Sequence, residues 1–248
     1  GLGDLWLPEL IRDTLSIADW KLGGRIYKVH GAYGDQQCAL VGAGLKMDEL
    51  SINISTGSQV SMLTERFQGG PFQTRCYFGD RWLNTITHLP AGRALNALMD
   101  LLTELATAEG KPLEHPWQSV RAKMEQIDQT DLEANVAYFA SAVGSSGSLS
   151  NMTTENLSVG HLFLAACKAM ADNYAKAAKR LASRGTWKEV VLSGGLSSNL
   201  PKLASLIQSM FQLPIRESAG EETLLGLLRL ARESIDQESQ ESSHYAKP

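Results

Sequence analysis

Cysteine is scarce in this 248-residue chain, and Cys38, Cys76 and Cys167 are odd in number, far apart and without a CxxC pair. That argues against a disulfide framework or a thiolate zinc site, so a reducing cytoplasm is the expected setting. Positive charge is also short. With 23 Lys+Arg against 27 Asp+Glu the net charge is -4, which offers no basic face for phosphate backbones, and nucleic acid is not an expected partner. No apolar run approaches the roughly 18 to 20 residues of a membrane helix, and the opening GLGDLWLPEL has neither the basic nor the apolar stretch of an export signal. A chain off the membrane and not exported is expected. The 5 histidines show no HExxH or His-x-His spacing, so no metal site is expected from them. A GxSxG elbow and a loop ending in Gly-Lys-Ser/Thr are both missing, which removes the serine hydrolase and P-loop classes. The chain opens on Gly1 rather than Met and is expected to be a piece of a longer protein.

What is present suits one large globular domain or two small ones, with 43% hydrophobic and 20% charged residues. Residues 1–24 read as a lead-in segment closed by Leu22-Gly23-Gly24, and 25–29 as a short strand. The strand leads into Gly34-Asp35 and a short helical pattern, so Asp35 falls where strand gives way to helix. From Leu50 apolar and polar residues alternate through Ile54 and again through Val60 and Met62, predicting a hairpin that turns at 55–58. A second hairpin is predicted across 74–77 and 82–86. The spacing of Leu95, Leu98, Met99, Leu102, Leu105 and Ala106 predicts an amphipathic helix, and a less regular one spans 117–127. Residues 144–151 read as a loop. The strongest helix follows, with Phe163, Ala166, Cys167, Met170, Tyr174, Ala177 and Leu181 inward and Gly185 ending it. Val190-Val191-Leu192 suits a strand buried on both faces. A helix with Leu203, Leu206, Ile207 and Met210 inward, a strand at 213–216, a helix over 222–232 and a polar, frayed tail at 237–248 complete the chain.

Three glycine-bearing turns end predicted strands, at Gly34-Asp35, Thr56-Gly57-Ser58 and Gly194-Gly195, and are expected to converge on one cleft. Bare backbone N–H groups at such turns suit an anion, because no Cβ blocks its approach. A tight strand-to-helix turn accounts equally well for Gly194-Gly195 alone, and helix capping accounts for Asp35 alone. Asp35 becomes a general-base candidate if its carboxylate faces phosphate-binding loops.

Read in order, these turns resemble the FGGY carbohydrate kinases. The run Gly34-Asp35-Gln36-Gln37 is similar to the family's Gly-Asp-Gln-Gln segment, and Asn53-Ile54-Ser55-Thr56-Gly57-Ser58 to its second phosphate hairpin. Gly194-Gly195-x-x-x-Asn199 and Glu222-Thr223-Leu224-Leu225-Gly226 are similar to its adenosine loop and closing helix. Asn-Ile-Ser-Thr, the hairpin 77–83 and Pro90-Ala91-Gly92-Arg93 look most like the sedoheptulokinases. The resemblance implies an α/β fold, a ribonuclease-H-like domain of the actin, hexokinase and Hsp70 ATPase type with a mixed β-sheet flanked by helices. It implies that 25–236 is the C-terminal, ATP-binding domain of such a kinase, with the N-terminal domain missing.

Carried over, the resemblance makes Asp35 the base for the sugar's hydroxyl and Gln36 a sugar contact. Gly57 and Ser58 then lie against the β- and γ-phosphates, Gly194 and Gly195 against the α-phosphate, and Asn199 near adenine. It implies ATP and Mg2+ as cofactors and phosphorylation of sedoheptulose at its 7-position. The alternatives are another ketose or polyol (xylulose, ribulose, glycerol), or a non-catalytic actin-like nucleotide-binding module. The isolated chain is expected to be inactive, and its exposed inter-domain surface, with Phe72 and Trp82, to favour homo-oligomers.

Overall fold

The computed structural model describes residues 16–185, 187–218 and 220–245. Its first element is a hairpin, β1 (Ala18–Leu22) paired antiparallel with β2 (Arg25–Val29). Period-2 alternation gives this ribbon one apolar face, where Trp20 and Tyr27 sit opposite each other with ring centroids 5.8 Å apart, both exposed. The lead-in predicted for 1–24 thus contains a strand, and its first 15 residues lie outside the described ones.

After α1 (Asp35–Gly42) the main sheet begins with β3 (Glu49–Ile54) and β4 (Gly57–Thr64), then β5 (Gln73–Tyr77) and β6 (Arg81–Pro90). Both predicted hairpins form. Helices α2 (Gly92–Ala108) and α3 (Pro116–Glu125), the short pair β7 (Glu133–Asn135) and β8 (Ser148–Ser150), and α4 (Val159–Leu181) follow. The chain returns to the sheet through β9 (Glu189–Ser193), leaves it through α5 (Gly195–Asn199) and α6 (Pro201–Phe211), adds β10 (Ile215–Glu217) and ends in α7 (Glu222–Tyr245). The six strands run in the order β10-β9-β3-β4-β6-β5, parallel across β10, β9 and β3 and antiparallel from β3 to β5. This is the mixed sheet of the actin, hexokinase and Hsp70 type, flanked by helices on both faces.

The two faces differ in composition. Leu50, Ile52, Ile54, Val60 and Leu192 join the main core with Leu95, Phe163, Met170, Tyr174 and Leu203 from α2, α4 and α6. On the other face Leu63, Leu83 and Val191 meet Leu40, Ala43 and Leu45 at α1, which α7 covers. The helices α1 and α7 cross backbone to backbone. A Cβ on Gly42 would run into the carbonyl of Glu222, and one on Gly226 into that of Cys38, so both positions need glycine. At the opposite sheet edge Arg216 donates to Glu189 (2.8 Å), to the nearly buried Glu49 (2.6 Å) and to the carbonyl of Ala43 (2.7 Å), tying β10, β9, β3 and α1 together.

Several expected boundaries move for physical reasons. At about 1.5 Å per residue α2 is about 25 Å long, and its second half overshoots the sheet: Leu95, Leu98 and Met99 are buried, but Leu102 and Leu105 are exposed. Pro201 divides the region after β9 into two helices. It keeps Leu200 out of the helical region, at φ -130 and ψ 78, since proline disfavours helical backbone in the residue before it. Met210 is exposed rather than inward because the last turn of α6, closed by Gln212 at φ 53, runs past the core. Helix α4 stops at Leu181, ahead of Gly185, and Ser148–Ser150 of the expected loop pairs with Glu133–Asn135. No proline or glycine follows Arg232 before Tyr245, and α7 runs through the whole of what was expected as a frayed tail up to that residue.

Candidate functional site

The β3–β4 hairpin turns in two residues, Ser55 and Thr56. Their carbonyls accept hydrogen bonds from Gly92 N (3.0 Å) and Arg93 N (2.8 Å), so the turn occupies the first free N–H groups of α2. Beside it β9 ends at Ser193, whose Oγ accepts from Asn53 Nδ2 at 2.9 Å. The backbone then bends at Gly194, φ 88 and ψ 146, a conformation essentially reserved for glycine. A Cβ here would strike the backbone of Ile54, within 2.7 Å of its carbonyl carbon. The next glycine differs. A Cβ on Gly195 would meet nothing within 4 Å, and the same holds for Gly57, so both backbones are bare toward open space.

The two turns share a pocket of about 420 Å³. It is lined by Ser55, Thr56, Gly92 and Gly195, by Asn96 of α2, by Trp117 and Arg121 of α3, and by Leu196, Asn199 and Leu200. Asn199, the last residue of α5, folds its amide back so that Nδ2 donates to the carbonyl of Gly195. The arrangement suits an elongated anion with an apolar part: the open Gly195 backbone beside the turn offers the polar contact, and Trp117, Leu196 and Leu200 offer aromatic and aliphatic surface. Thr56, Gly92, Asn96, Trp117 and Arg121 were not among the site residues expected from the sequence. Glycine and hydroxyl spacing signals the turns, but nothing local signals that α3 closes over them.

Ser58 is turned away from this pocket. Pairing with Ile54 and alternation with Val60 set its side chain on the core face, where Oγ and the hydroxyl of Tyr174 lie 2.8 Å apart, both buried. Burial pushes the Tyr174 phenol far up, against a smaller downward pull from the Ser58 bond. A phosphate contact through the Ser58 hydroxyl is therefore not open, and the hydroxyl residues lining the pocket are Ser55 and Thr56.

Asp35 stands apart from the other two turns. It is the first residue of α1, on the sheet face opposite α2, α3 and α4, and it does not line the pocket. Its carboxylate is exposed, and Oδ1 accepts from the backbone N–H of Gln36 at 2.7 Å. Gln36 is buried in a polar network beneath it. Its Nε2 donates to Ser61 Oγ (3.2 Å) and Thr85 Oγ1 (3.1 Å), and its Oε1 accepts from Arg75 Nη1 (3.0 Å). The amide expected to touch a sugar is engaged at both ends with the sheet, and it fixes the start of α1 and hence the position of Asp35. Gln37 adds a longer tie, Nε2 to the carbonyl of Cys76 at 3.5 Å. Cys38 is not a nucleophile candidate, since burial first and the neighbouring Asp35 second raise its thiol pKa. Among the described residues no three His, Cys, Asp or Glu side chains could hold a metal ion, and no helix is long and apolar enough to cross a membrane.

No family model matches the chain, and no curated protein matches its sequence. Its fold does match solved structures. A xyloylose kinase from Brucella ovis superposes with a TM-score of 0.74 at 16% identity, over 92% of this chain and 49% of that one. A gluconate kinase from Lactobacillus acidophilus gives 0.73 at 14% identity, over 93% and 49%. The Plasmodium falciparum glycerol kinase with ADP gives 0.68 at 17% identity, over 84% and 43%. The chain spans about half the length of the structures it matches. The fold is that of the actin, hexokinase and Hsp70-type sugar kinases.

Proposed function

We propose that this chain is the ATP-binding half of a cytoplasmic carbohydrate kinase of the FGGY type, carrying the base that accepts the proton of a sugar hydroxyl. The observation that carries the reading is the meeting of the Ser55-Thr56 turn and Gly195 in one pocket, with bare glycine backbone where a phosphate would approach. The shared fold with three kinds of carbohydrate kinase supports it. Thr56, Gly57, Gly194 and Gly195 hold the phosphates, and Asn199 stands near the base. Asp35 takes the proton of the attacking hydroxyl as the new P–O bond forms and ADP leaves. Phosphoryl transfer has a loose, charge-spread transition state, so alignment of these groups supplies most of the rate. Magnesium would come with the nucleotide, held mainly by its phosphates, as is usual for this ion. The second half of the kinase, with which this chain forms a complete cleft, is its partner, and the isolated chain transfers no phosphate. Self-association of the chain through its exposed inter-domain surface belongs to the same reading.

Sedoheptulose, phosphorylated at the 7-position, is the proposed substrate on the strength of the Tyr77–Leu83 and Pro90–Arg93 motifs, ahead of xylulose, ribulose and glycerol. One observation favours a non-catalytic nucleotide-binding module instead: the Asp35 carboxylate accepts from the neighbouring Gln36 N–H in the first turn of its own helix and does not line the pocket. Asp35→Asn, in the protein carrying both halves, separates the two. The kinase reading expects a fall in kcat of about 10² to 10⁴ with unchanged ADP affinity. Full activity of the Asn variant on all four sugars refutes the base.

A further inference from the structure

Trp117 and Arg121 stand four residues apart on α3, so their side chains share one face of that helix, and both line the pocket. Trp117 is half-buried and packs edge-on against Phe163, with centroids 5.6 Å apart and planes at 81°, which steadies the indole from behind. Arg121 is exposed and reaches across the pocket to the carbonyl of Asn199 at 3.5 Å, a long contact that leaves most of its five N–H donors unused. The open backbone of Gly195 lines the same pocket, together with Leu196 and Leu200.

We propose that Trp117 and Arg121 form the wall that selects a purine base for this pocket. Trp117 gives the base an aromatic surface to stack on. Arg121 donates to the ring nitrogen N7, an acceptor on the outer edge of both adenine and guanine that pyrimidines lack. This rests on the nucleotide reading of the pocket and adds to it residues from a helix that no sequence motif marks.

Calorimetric titration of the 248-residue chain with ADP, GDP, CDP, UDP and inorganic tripolyphosphate tests the wall. ADP and GDP are expected to bind about 5-fold or more tighter than CDP and UDP. Trp117→Ala is expected to weaken both purine nucleotides about 5- to 100-fold, the range of one lost base stack. Arg121→Ala, an exposed change that leaves the melting temperature in place, is expected to erase the purine preference. Neither change should move the affinity for tripolyphosphate, which has no base. Should Trp117→Ala fail to fold, Trp117→Phe keeps the packing on Phe163 and is expected to give a smaller loss in the same direction. Variants that bind ADP like the wild type, or a wild type that binds all four nucleotides alike, overturn the wall and leave the pocket's phosphate end standing. A wild-type chain that binds neither nucleotide nor tripolyphosphate overturns the nucleotide reading and the wall together.

Discussion

The Ser58–Tyr174 pair offers the sharpest test of which polar groups serve the site and which serve the core. Both hydroxyls are buried and 2.8 Å apart, and either can donate. Tyr174→Phe keeps the ring and opens no cavity, but it leaves the Ser58 oxygen facing an apolar ring. An orphaned buried hydroxyl costs about 1 to 3 kcal/mol, more than the net value of a made hydrogen bond, because its desolvation is no longer offset. Ser58→Ala orphans the Tyr174 phenol at a similar cost. The double variant orphans nothing and should cost no more than about 1 kcal/mol, so the singles overlap rather than add, with a coupling of about 1 kcal/mol or more. Urea unfolding measures it: with a slope of about 3 kcal/mol per molar, each single substitution should lower the midpoint by about 0.3 to 1 M. The ADP affinity of Ser58→Ala should stay within about 2-fold of wild type, since the hydroxyl points away from the pocket. Additive losses would refute the pairing. A drop in ADP affinity with an unmoved midpoint would put Ser58 on the phosphate and refute the orientation argument.

Alkaline pH should unfold the chain early. Burial pushes the thiol of Cys167 and the phenol of Tyr77 up to about 12, each from a lower unfolded value, so their stabilising contribution is complete below about pH 9 and is lost as pH rises toward 12. The unfolded state sheds these protons first, so stability should fall by about 1.4 kcal/mol per pH unit per group, and Cys167→Ala should show a shallower loss of urea midpoint between pH 8 and 11. The adjacent glycines of the β9–α5 bend should separate by phenotype: Gly194→Ala, at φ 88 and against the backbone of Ile54, should cost about 2 kcal/mol or more in stability. Gly195→Ala, open on every side, should keep the melting temperature and weaken ADP binding by placing a methyl where the phosphate approaches; loss of stability in both, or of ADP affinity in neither, would refute that division.

The contrast between Gly194 and Gly195 also explains what could be read from the sequence. Turns and periodic elements are local: Gly-Gly after an apolar run announces a strand ending in a tight bend, and the alternation from Leu50 announces the central hairpin, because backbone sterics and burial act over a few residues. Orientation of single polar side chains is not local. Gln36 looks outward from its position beside an exposed Asp35, yet its amide is completed by Ser61 and Thr85, 25 and 49 residues away, and by Arg75 on an edge strand. Ser58 likewise meets a phenol 116 residues away. A buried hydrogen bond must be satisfied by whatever the fold brings, and the sheet order that brings β4, β6 and α4 to these residues depends on pairings no short window contains. The same holds for the pocket wall. The FGGY-like turns are contiguous in sequence and therefore visible, whereas α3 is placed at the pocket by packing on α4, Trp117 on Phe163 and Met124 on Cys167, and α4 in turn packs against β4 and β6. The chemistry-bearing backbone was thus legible before the fold was known, and the side chains that would choose the ligand were not.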